Sequence, residues 1–494
     1  MDALTALYRP SLALLTDLYQ LTMAYGYWKA GIHQREAVFH LYFRENPFSG
    51  GFTIACGLAG AIEYLQRLRF DQDDLTYLAG LTAGDGSTLF EPGFLDLLRD
   101  CPLLPDVDAV PEGTVVFPHE PLVRVRGTLI PSQLPETALL TLLGFPTLVA
   151  TKAARVVMAA RGDPVLEFGL RRAQGIDGGV TASRAAYVGG CAATSNVLAG
   201  RLYGIPVRGT HAHSWVMCFD DELAAFRAYA EAMPNNCVFL VDTYDSLEGV
   251  RRAVEVGRWL RARGQRLLGI RLDSGDLAYL SIEARKILDA AGFPDAAILA
   301  SNDLDETIIA SLKEQGAAIG VWGVGTRLAT AYDCPALGAV YKLSAVRAPG
   351  GPWEDRIKLS EQLAKVSVGG MLQVRRYRQS SEFAADVIFD ELHPMQGEVR
   401  MVDPLDPTRR KAIPADLEYE DLLVPIFREG RRLYEVPSLE ATRLRVRQQV
   451  AMLHPGIQRF VNPHCYPVGL EAGLYDRRTE HVLRLRRRDE GVRG

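Results

Sequence analysis

The chain has 494 residues, 48% hydrophobic and 23% charged, with a formal net charge of −5. This is the make-up of a globular protein with room for two or three domains. It excludes a global basic field that would draw the chain to nucleic acid or an anionic membrane, so neither is expected as a partner.

The seven cysteines, at 56, 101, 191, 218, 237, 334 and 465, form no C-x-x-C pair and are odd in number. They read as the reduced thiols of a cytoplasmic enzyme, not a disulfide framework or a zinc ribbon. The start, Met1-Asp2-Ala3-Leu4, has an acid where a signal peptide needs a basic region.

In chain order, residues 11–30 read as a helix capped by Thr16 or Asp17, with Leu18, Leu21, Tyr25 and Trp28 at helical spacing. On such a helix Tyr19 alone would be an ordinary aromatic. Residues 37–44 alternate like a strand, and 52–56 is expected to pair with them across the Asn46-Pro47 and Gly50-Gly51 turn. Residues 57–100 are mainly helical, and 115–118 and 122–126 read as strands of a small antiparallel unit. Residues 1–135 therefore form an N-terminal α+β domain. The most apolar window, about 137–150, is broken by Gly144 and Pro146 and reads as too short to span a bilayer.

From 136 to 345 the texture changes to short apolar strands, each running into polar or glycine residues. They are expected at Val165–Phe168, Val207, Cys237–Val241, Arg266–Ile270, Ala297–Ala300 and Ala318–Val321, with helices at 246–263, 279–291 and 306–315. Strand and helix alternating in this way imply parallel β/α units. An open doubly wound sheet gathers its chemistry at one switch point. Here every strand ends in reactive side chains, which fits the single mouth of an irregular, TIM-like β/α barrel better. Residues 346–494 read as a return to the α+β domain plus a C-terminal extension.

Within Arg271-Leu272-Asp273-Ser274-Gly275-Asp276, residues two apart share a strand face, so Arg271 and Asp273 should both point into the mouth. The arginine is a fork for carboxylate or phosphate. A structural ion pair at a strand end is the plain alternative. Gly323-Val324-Gly325-Thr326 reads as a loop whose backbone N–H groups and hydroxyl suit a phosphate, although glycine turns without phosphate are common. Ser301-Asn302-Asp303 reads equally as the cap of the next helix, with Glu306 completing a capping box. Asp242 and Asp245 resemble half the acidic signature of Rossmann-like phosphoribosyltransferases, but the adjacent acids and Thr-Gly loop are missing.

His211 and His213 at a strand end could be structural imidazoles, a nucleophile or base, or metal ligands. A barrel hydrolase of the amidohydrolase kind needs further histidines from later strands. None occurs between Ser214 and Leu392, so that metal cage fails.

Five stretches stand in order along the chain: Thr16-Asp17-Leu18-Tyr19-Gln20-Leu21-Thr22-Met23, Glu167-Phe168-Gly169-Leu170-Arg171-Arg172-Ala173-Gln174-Gly175, Gly209-Thr210-His211-Ala212-His213-Ser214, Arg271–Asp276 and Gly323–Thr326. Together they resemble the nicotinate phosphoribosyltransferase family. The resemblance spans roughly residues 10–345; beyond it the likeness is one of general character. It implies the irregular-barrel, type II phosphoribosyltransferase fold. It also implies transfer of phosphoribose from 5-phosphoribosyl 1-diphosphate to nicotinate, with Mg²⁺ and with ATP coupled through a phosphohistidine. A homodimer with shared active sites is implied too. His213 falls at the phosphohistidine position. Tyr19 falls at the aromatic that covers the pyridine ring from the second subunit, and Phe168 at the one beneath it. Thr210, Arg171 and Arg271 fall around nicotinate and the ribose phosphates. Thr326, with Gly323 and Gly325, falls on the phosphate loop, and Asp273 is placed to stabilise oxocarbenium-like charge. The resemblance gives His211 no role and names no metal ligands.

The sister enzyme, nicotinamide phosphoribosyltransferase, is the alternative. A neutral amide favours an acid near the ring, and Ala192-Ala193-Thr194-Ser195-Asn196 offers none. Quinolinate phosphoribosyltransferases are usually shorter and lack the His213 motif. A non-catalytic nucleotide sensor would have lost site residues, and the five motifs look intact.

Overall fold

The computed structural model describes residues 11–493 apart from 363, 364 and 396. The chain folds into two compact units. One holds the described residues up to Thr147, Ala336–Ser438 and those from Gln448 onward; the other holds Leu148–Pro335 and Leu439–Arg447.

The second unit is built on six short strands. They are β1 (Val165–Glu167), β2 (Ala193–Thr194), β3 (Val238–Leu240), β4 (Gly269–Leu272), β5 (Ala297–Ala300) and β6 (Val321–Val324). Their spatial order is β2-β1-β6-β5-β4-β3, and every pair is parallel. The first strand therefore pairs with the last, as in a closing barrel, and the one missing neighbour pair is β2 with β3. The segment ahead of His211 fills part of that gap. The Thr194 N–H donates to Pro206 O at 3.0 Å and the Arg208 N–H to Thr194 O at 3.0 Å.

Two strand expectations are corrected here. Val207 forms only an isolated bridge to Thr194, because Pro206 has no N–H to extend a ladder; Ala193–Thr194 is the second strand instead. The last strand starts at Val321, since Trp322 and Val324, both fully buried, are the residues that anchor it. Gly323 accordingly lies inside a strand and not in the loop.

The helices Ser246–Arg261, Leu277–Ala290 and Glu306–Glu314 are capped by Asp245, Asp276 and Asp305, whose carboxylates accept first-turn N–H groups. Asp305, not Ser301-Asn302-Asp303, therefore starts the last of them. Glu306 is buried and paired with Lys152 at 2.8 Å and Arg155 at 2.7 Å, instead of closing a capping box.

In the first unit the strand Glu36–Tyr42 is buried along nearly its whole length. It pairs antiparallel with Val123–Thr128 and Val340–Arg347. Thr53–Ile54 pairs with Val115–Val116 instead, so the expected local hairpin does not form. An interior strand with two buried faces takes its partners from wherever the sheet supplies them. In the helix Leu18–Lys29, Leu21 and Ala24 join a core with Phe90, Phe94 and Leu98, and Tyr25 and Trp28 pack against it. Leu18, expected inward, is 53% exposed.

The helix Glu136–Ala159 runs straight through Gly144 and Pro146, so the apolar window is not cut short there. Proline removes the bond to the carbonyl four residues back, here Leu142. That carbonyl faces Gly57 (φ +103°), where any Cβ would collide with it. Leu129–Ala159 is long and apolar enough to cross a membrane, and 67% of its most apolar window is buried in the protein. All seven cysteines are outside any disulfide.

Candidate active site

The strand ends of the barrel unit converge on a polar cluster. Arg271 on β4 and Asp273 just past its end come together, and Arg271 Nη2 donates to Asp273 Oδ1 at 2.8 Å. The same guanidinium donates from Nε to Ser301 Oγ at 2.7 Å and from Nη1 to Thr210 Oγ1 at 3.1 Å. Ser301 Oγ in turn donates to Asp273 Oδ1. Arg271 thus ties the ends of β4 and β5 to the segment that carries the two histidines. Burial works against the charge on Asp273, but the Ser301 hydroxyl and Arg271 outweigh it and hold the carboxyl below its ordinary value.

His213 opens the short helix His213–Met217 and is about two-fifths exposed. Its Nδ1 lies 3.1 Å from Thr243 Oγ1, within hydrogen-bond reach. Its Nε2 faces Asp242 Oδ1 at 3.8 Å and Asp273 Oδ2 at 3.9 Å, too far for hydrogen bonds. Asp242 Oδ2 accepts the Asp273 N–H at 2.8 Å and Ser274 Oγ at 2.7 Å. Its Oδ1 is buried without a hydrogen-bond partner among the described residues.

Phe168 follows β1, and its N–H donates to Val324 O at 2.8 Å. The ring lies against the backbone of Gly323, with the Arg271 guanidinium 5.6 Å from its centroid. Gly325 caps the four-residue helix Thr326–Ala329, and Thr326 is half-buried. Arg171 is exposed in the turn Leu170–Arg172, and among the described residues its guanidinium has no hydrogen bond or ion pair. Beneath this turn Glu167 is buried. It accepts from the Gly169 N–H, from Ser183 Oγ at 2.8 Å and from Thr194 Oγ1 at 2.6 Å.

Of the residues singled out from sequence, Phe168, Thr210, His213, Arg271, Asp273 and Gly323 are linked by these contacts. Gly325 and Thr326 sit one turn further along the same strand end, and Arg171 stands out in solvent. Tyr19 belongs to the first unit, where it is 47% exposed; burial and Glu136 raise its phenol. Asp242, Thr243, Ser301 and Glu167 were not expected in the cluster. Asp242 and Thr243 had a readable signal, because they end β3 as Asp273 ends β4. Outside this cluster, Lys342 of the first unit lies among charged neighbours. Burial lowers its pKa and Glu136 raises it, while Lys358 and Arg44 lower it further, marking a cationic cluster.

Among the described residues, no group of three or more His, Cys, Asp or Glu side chains is arranged to hold a metal ion. Two carboxylates at one mouth fit Mg²⁺, which keeps several waters and seldom takes an all-protein cage.

A parallel barrel pairing its first strand with its last, with a polar cluster at its strand ends, fits the type II phosphoribosyltransferase class. The crystal structure of human nicotinic acid phosphoribosyltransferase superposes with a TM-score of 0.81 at 33% identity, covering 94% of this chain and 99% of that one. A nicotinate-nucleotide pyrophosphorylase from Pyrococcus furiosus shares the fold, with a TM-score of 0.65 at 23% identity over 89% of this chain and 95% of that one. Residues 14–144 match the nicotinate phosphoribosyltransferase N-terminal domain model and 373–478 the C-terminal one. A Bacillus subtilis nicotinate phosphoribosyltransferase is 42% identical over 97% of both chains, and one from Caenorhabditis elegans 36% identical over 94% of this chain and 92% of that one. The chain belongs to the nicotinate phosphoribosyltransferase family.

Proposed function

We propose that the protein makes nicotinate mononucleotide and diphosphate from nicotinate and 5-phosphoribosyl 1-diphosphate. The observation that carries this is the cluster of Arg271, Asp273, Ser301 and Thr210 beside Phe168, in a chain alike along its whole length to enzymes named for this transfer. The pyridine nitrogen attacks C1′ of the ribose, the C1′–O bond breaks, and diphosphate leaves with the electron pair. Positive charge that builds on the ribose is offset by Asp273, already held ionised by its partners. Phe168 offers the ring a stacking face. Arg171, lacking a partner among the described residues, is available to a carboxylate or phosphate. Gly323 leaves room for the Phe168 side chain, and Gly325 and Thr326 offer an N–H and a hydroxyl to phosphate oxygens. Mg²⁺ would be held by Asp242 and Asp273 with the diphosphate, and would neutralise charge on the leaving group.

ATP enters this reading through His213. With Nδ1 occupied by Thr243, Nε2 is the nitrogen left to attack the γ-phosphorus, displacing ADP; water later releases the phosphate. Phosphorylation adds a charge of about −1.5 to −2 to the mouth. That is enough to reorder an anion site and so couple hydrolysis to transfer.

The enzyme works as a homodimer in which Tyr19 of a second copy covers the nicotinate ring. Supporting this, Leu15, Leu18, Tyr19 and Met23 form an exposed apolar face in one unit, and Val197, Leu198, Leu202 and Tyr203 another in the barrel unit. The cysteines, all outside any disulfide, suit a cytoplasmic location.

Acid is favoured over amide because Ala192–Asn196 holds no carboxylate. Parallel turnover of nicotinate and nicotinamide tests the choice. Nicotinate should win by at least tenfold, and preference for the amide would overturn it.

A further inference from the structure

His211, within the stretch Gly209–Ser214, is a side chain to which the reaction gives no task. Its ring is 8% exposed and packs against Tyr229, Phe226 and Phe239, with centroids 5.0, 6.0 and 6.4 Å away. Its Nε2 accepts the backbone N–H of Leu240 at 3.2 Å. Leu240 ends β3, an edge strand of the barrel sheet whose only ladder partner among the described strands is β4.

The far side of the gap is held by the same segment. Pro206 and Arg208, on either side of Val207, bond to Thr194 of β2. Four residues after Val207, His211 reaches β3. A side chain thus stands where neighbouring strands would exchange backbone bonds.

Two of the three residues that face His213 also lie just beyond Leu240. Asp242 and Thr243 follow it by two and three residues. The two imidazoles are therefore fixed to one strand end, the first to its backbone and the second to its side chains.

We propose that His211 is a positioning residue: by accepting the Leu240 N–H it closes the barrel between β2 and β3 and sets His213 against Thr243 and Asp242. Accepting at Nε2 requires a neutral ring with its proton on Nδ1. Burial, the largest influence, pushes the His211 pKa down to about 4, so the ring is neutral at physiological pH. The proposal rests on the reading of His213 as a reacting group only in its kinetic consequence; the Leu240 bond stands without it.

The test compares His211→Leu, which keeps apolar bulk and loses the acceptor, with His211→Gln, whose Oε1 reaches about as far as Nε2. Three quantities are measured on the full-length protein: Leu240 amide hydrogen exchange, thermal midpoint, and kcat and KM for nicotinate. In His211→Leu the Leu240 amide should exchange at least tenfold faster. Its kcat should fall about tenfold or more, as expected for a displaced reacting group, with KM for nicotinate changed less than threefold. His211→Gln should recover most of both losses. Unchanged Leu240 exchange or unchanged kcat in His211→Leu overturns the proposal, as does a glutamine variant no better than leucine. If the wild type turns over no nicotinate, the reading of the reaction fails, and Leu240 exchange alone decides the role of His211.

Discussion

A Cβ on residue 323 would lie 2.8 Å from the Phe168 ring. Phe168 rests where it does because β6 carries a glycine there, between the buried Trp322 and Val324. Gly323→Ala should push the ring out of place at an overpacking cost of about 1–3 kcal/mol. Since stacked aromatic pairs contribute about 0.5–1.5 kcal/mol, KM for nicotinate should rise about twofold to tenfold. Steady-state kinetics would show kcat changed less. An unaltered KM would mean that Phe168 is not the stacking face.

Thr243 gives His213 its fixed orientation. Thr243→Val keeps the shape and removes the hydroxyl at 3.1 Å. A net hydrogen bond is worth about 0.5–1.5 kcal/mol, so ATP stimulation of turnover should fall about threefold to tenfold. His213→Ala should abolish the stimulation and leave slow ATP-independent transfer. Incubation with ATP followed by mass spectrometry should find phosphate on His213 in the wild type. Full ATP stimulation in His213→Ala would end the phosphohistidine reading.

Glu167 anchors the turn that carries Phe168 and Arg171. A buried carboxylate accepting three donors leaves at least one unsatisfied when it becomes an amide. Glu167→Gln should lower stability by about 1–3 kcal/mol, read as a lower denaturant midpoint, and raise KM for nicotinate. A glutamine variant as stable and as tight as the wild type would contradict this.

Glu222 bears on pH. Its side chain is fully buried, and burial pushes its carboxyl pKa from 4.5 up to about 7 against the pull of Arg252 at 3.2 Å. The folded form holds its proton more tightly than the unfolded chain. Its stabilising contribution is therefore whole below pH 4.5 and is lost as the pH rises through 7. Glu222→Gln cannot ionise, so it should be more stable than the wild type at pH 8, by up to about 3 kcal/mol. The two should converge near pH 5. A wild type still ahead at pH 8 would show that the pair with Arg252 outweighs burial.

Much of the barrel was legible because its code is local. An apolar run such as Ala297–Ala300 stands out between turn residues, and alternation on β4 put Arg271 beside Asp273. Ala193–Thr194 was not legible, since a two-residue strand of small side chains has no apolar run. The pairing of Glu36–Tyr42 was missed because register with residues 123–128 and 340–347 is set by distant chain. Ser301 stayed open between two readings because a serine before a helix satisfies capping rules as well as site chemistry. Only the position of Asp305 separates the two. His211 could not be assigned from sequence at all, because its partner is the backbone N–H of Leu240, a group every residue but proline carries.

The most direct measurement follows nicotinate mononucleotide and diphosphate formed by the purified protein from nicotinate and 5-phosphoribosyl 1-diphosphate with Mg²⁺, with and without ATP. One mononucleotide per diphosphate, formed faster and further with ATP, is the predicted result. No mononucleotide under either condition would contradict the assignment of this barrel mouth to nicotinate phosphoribosyl transfer.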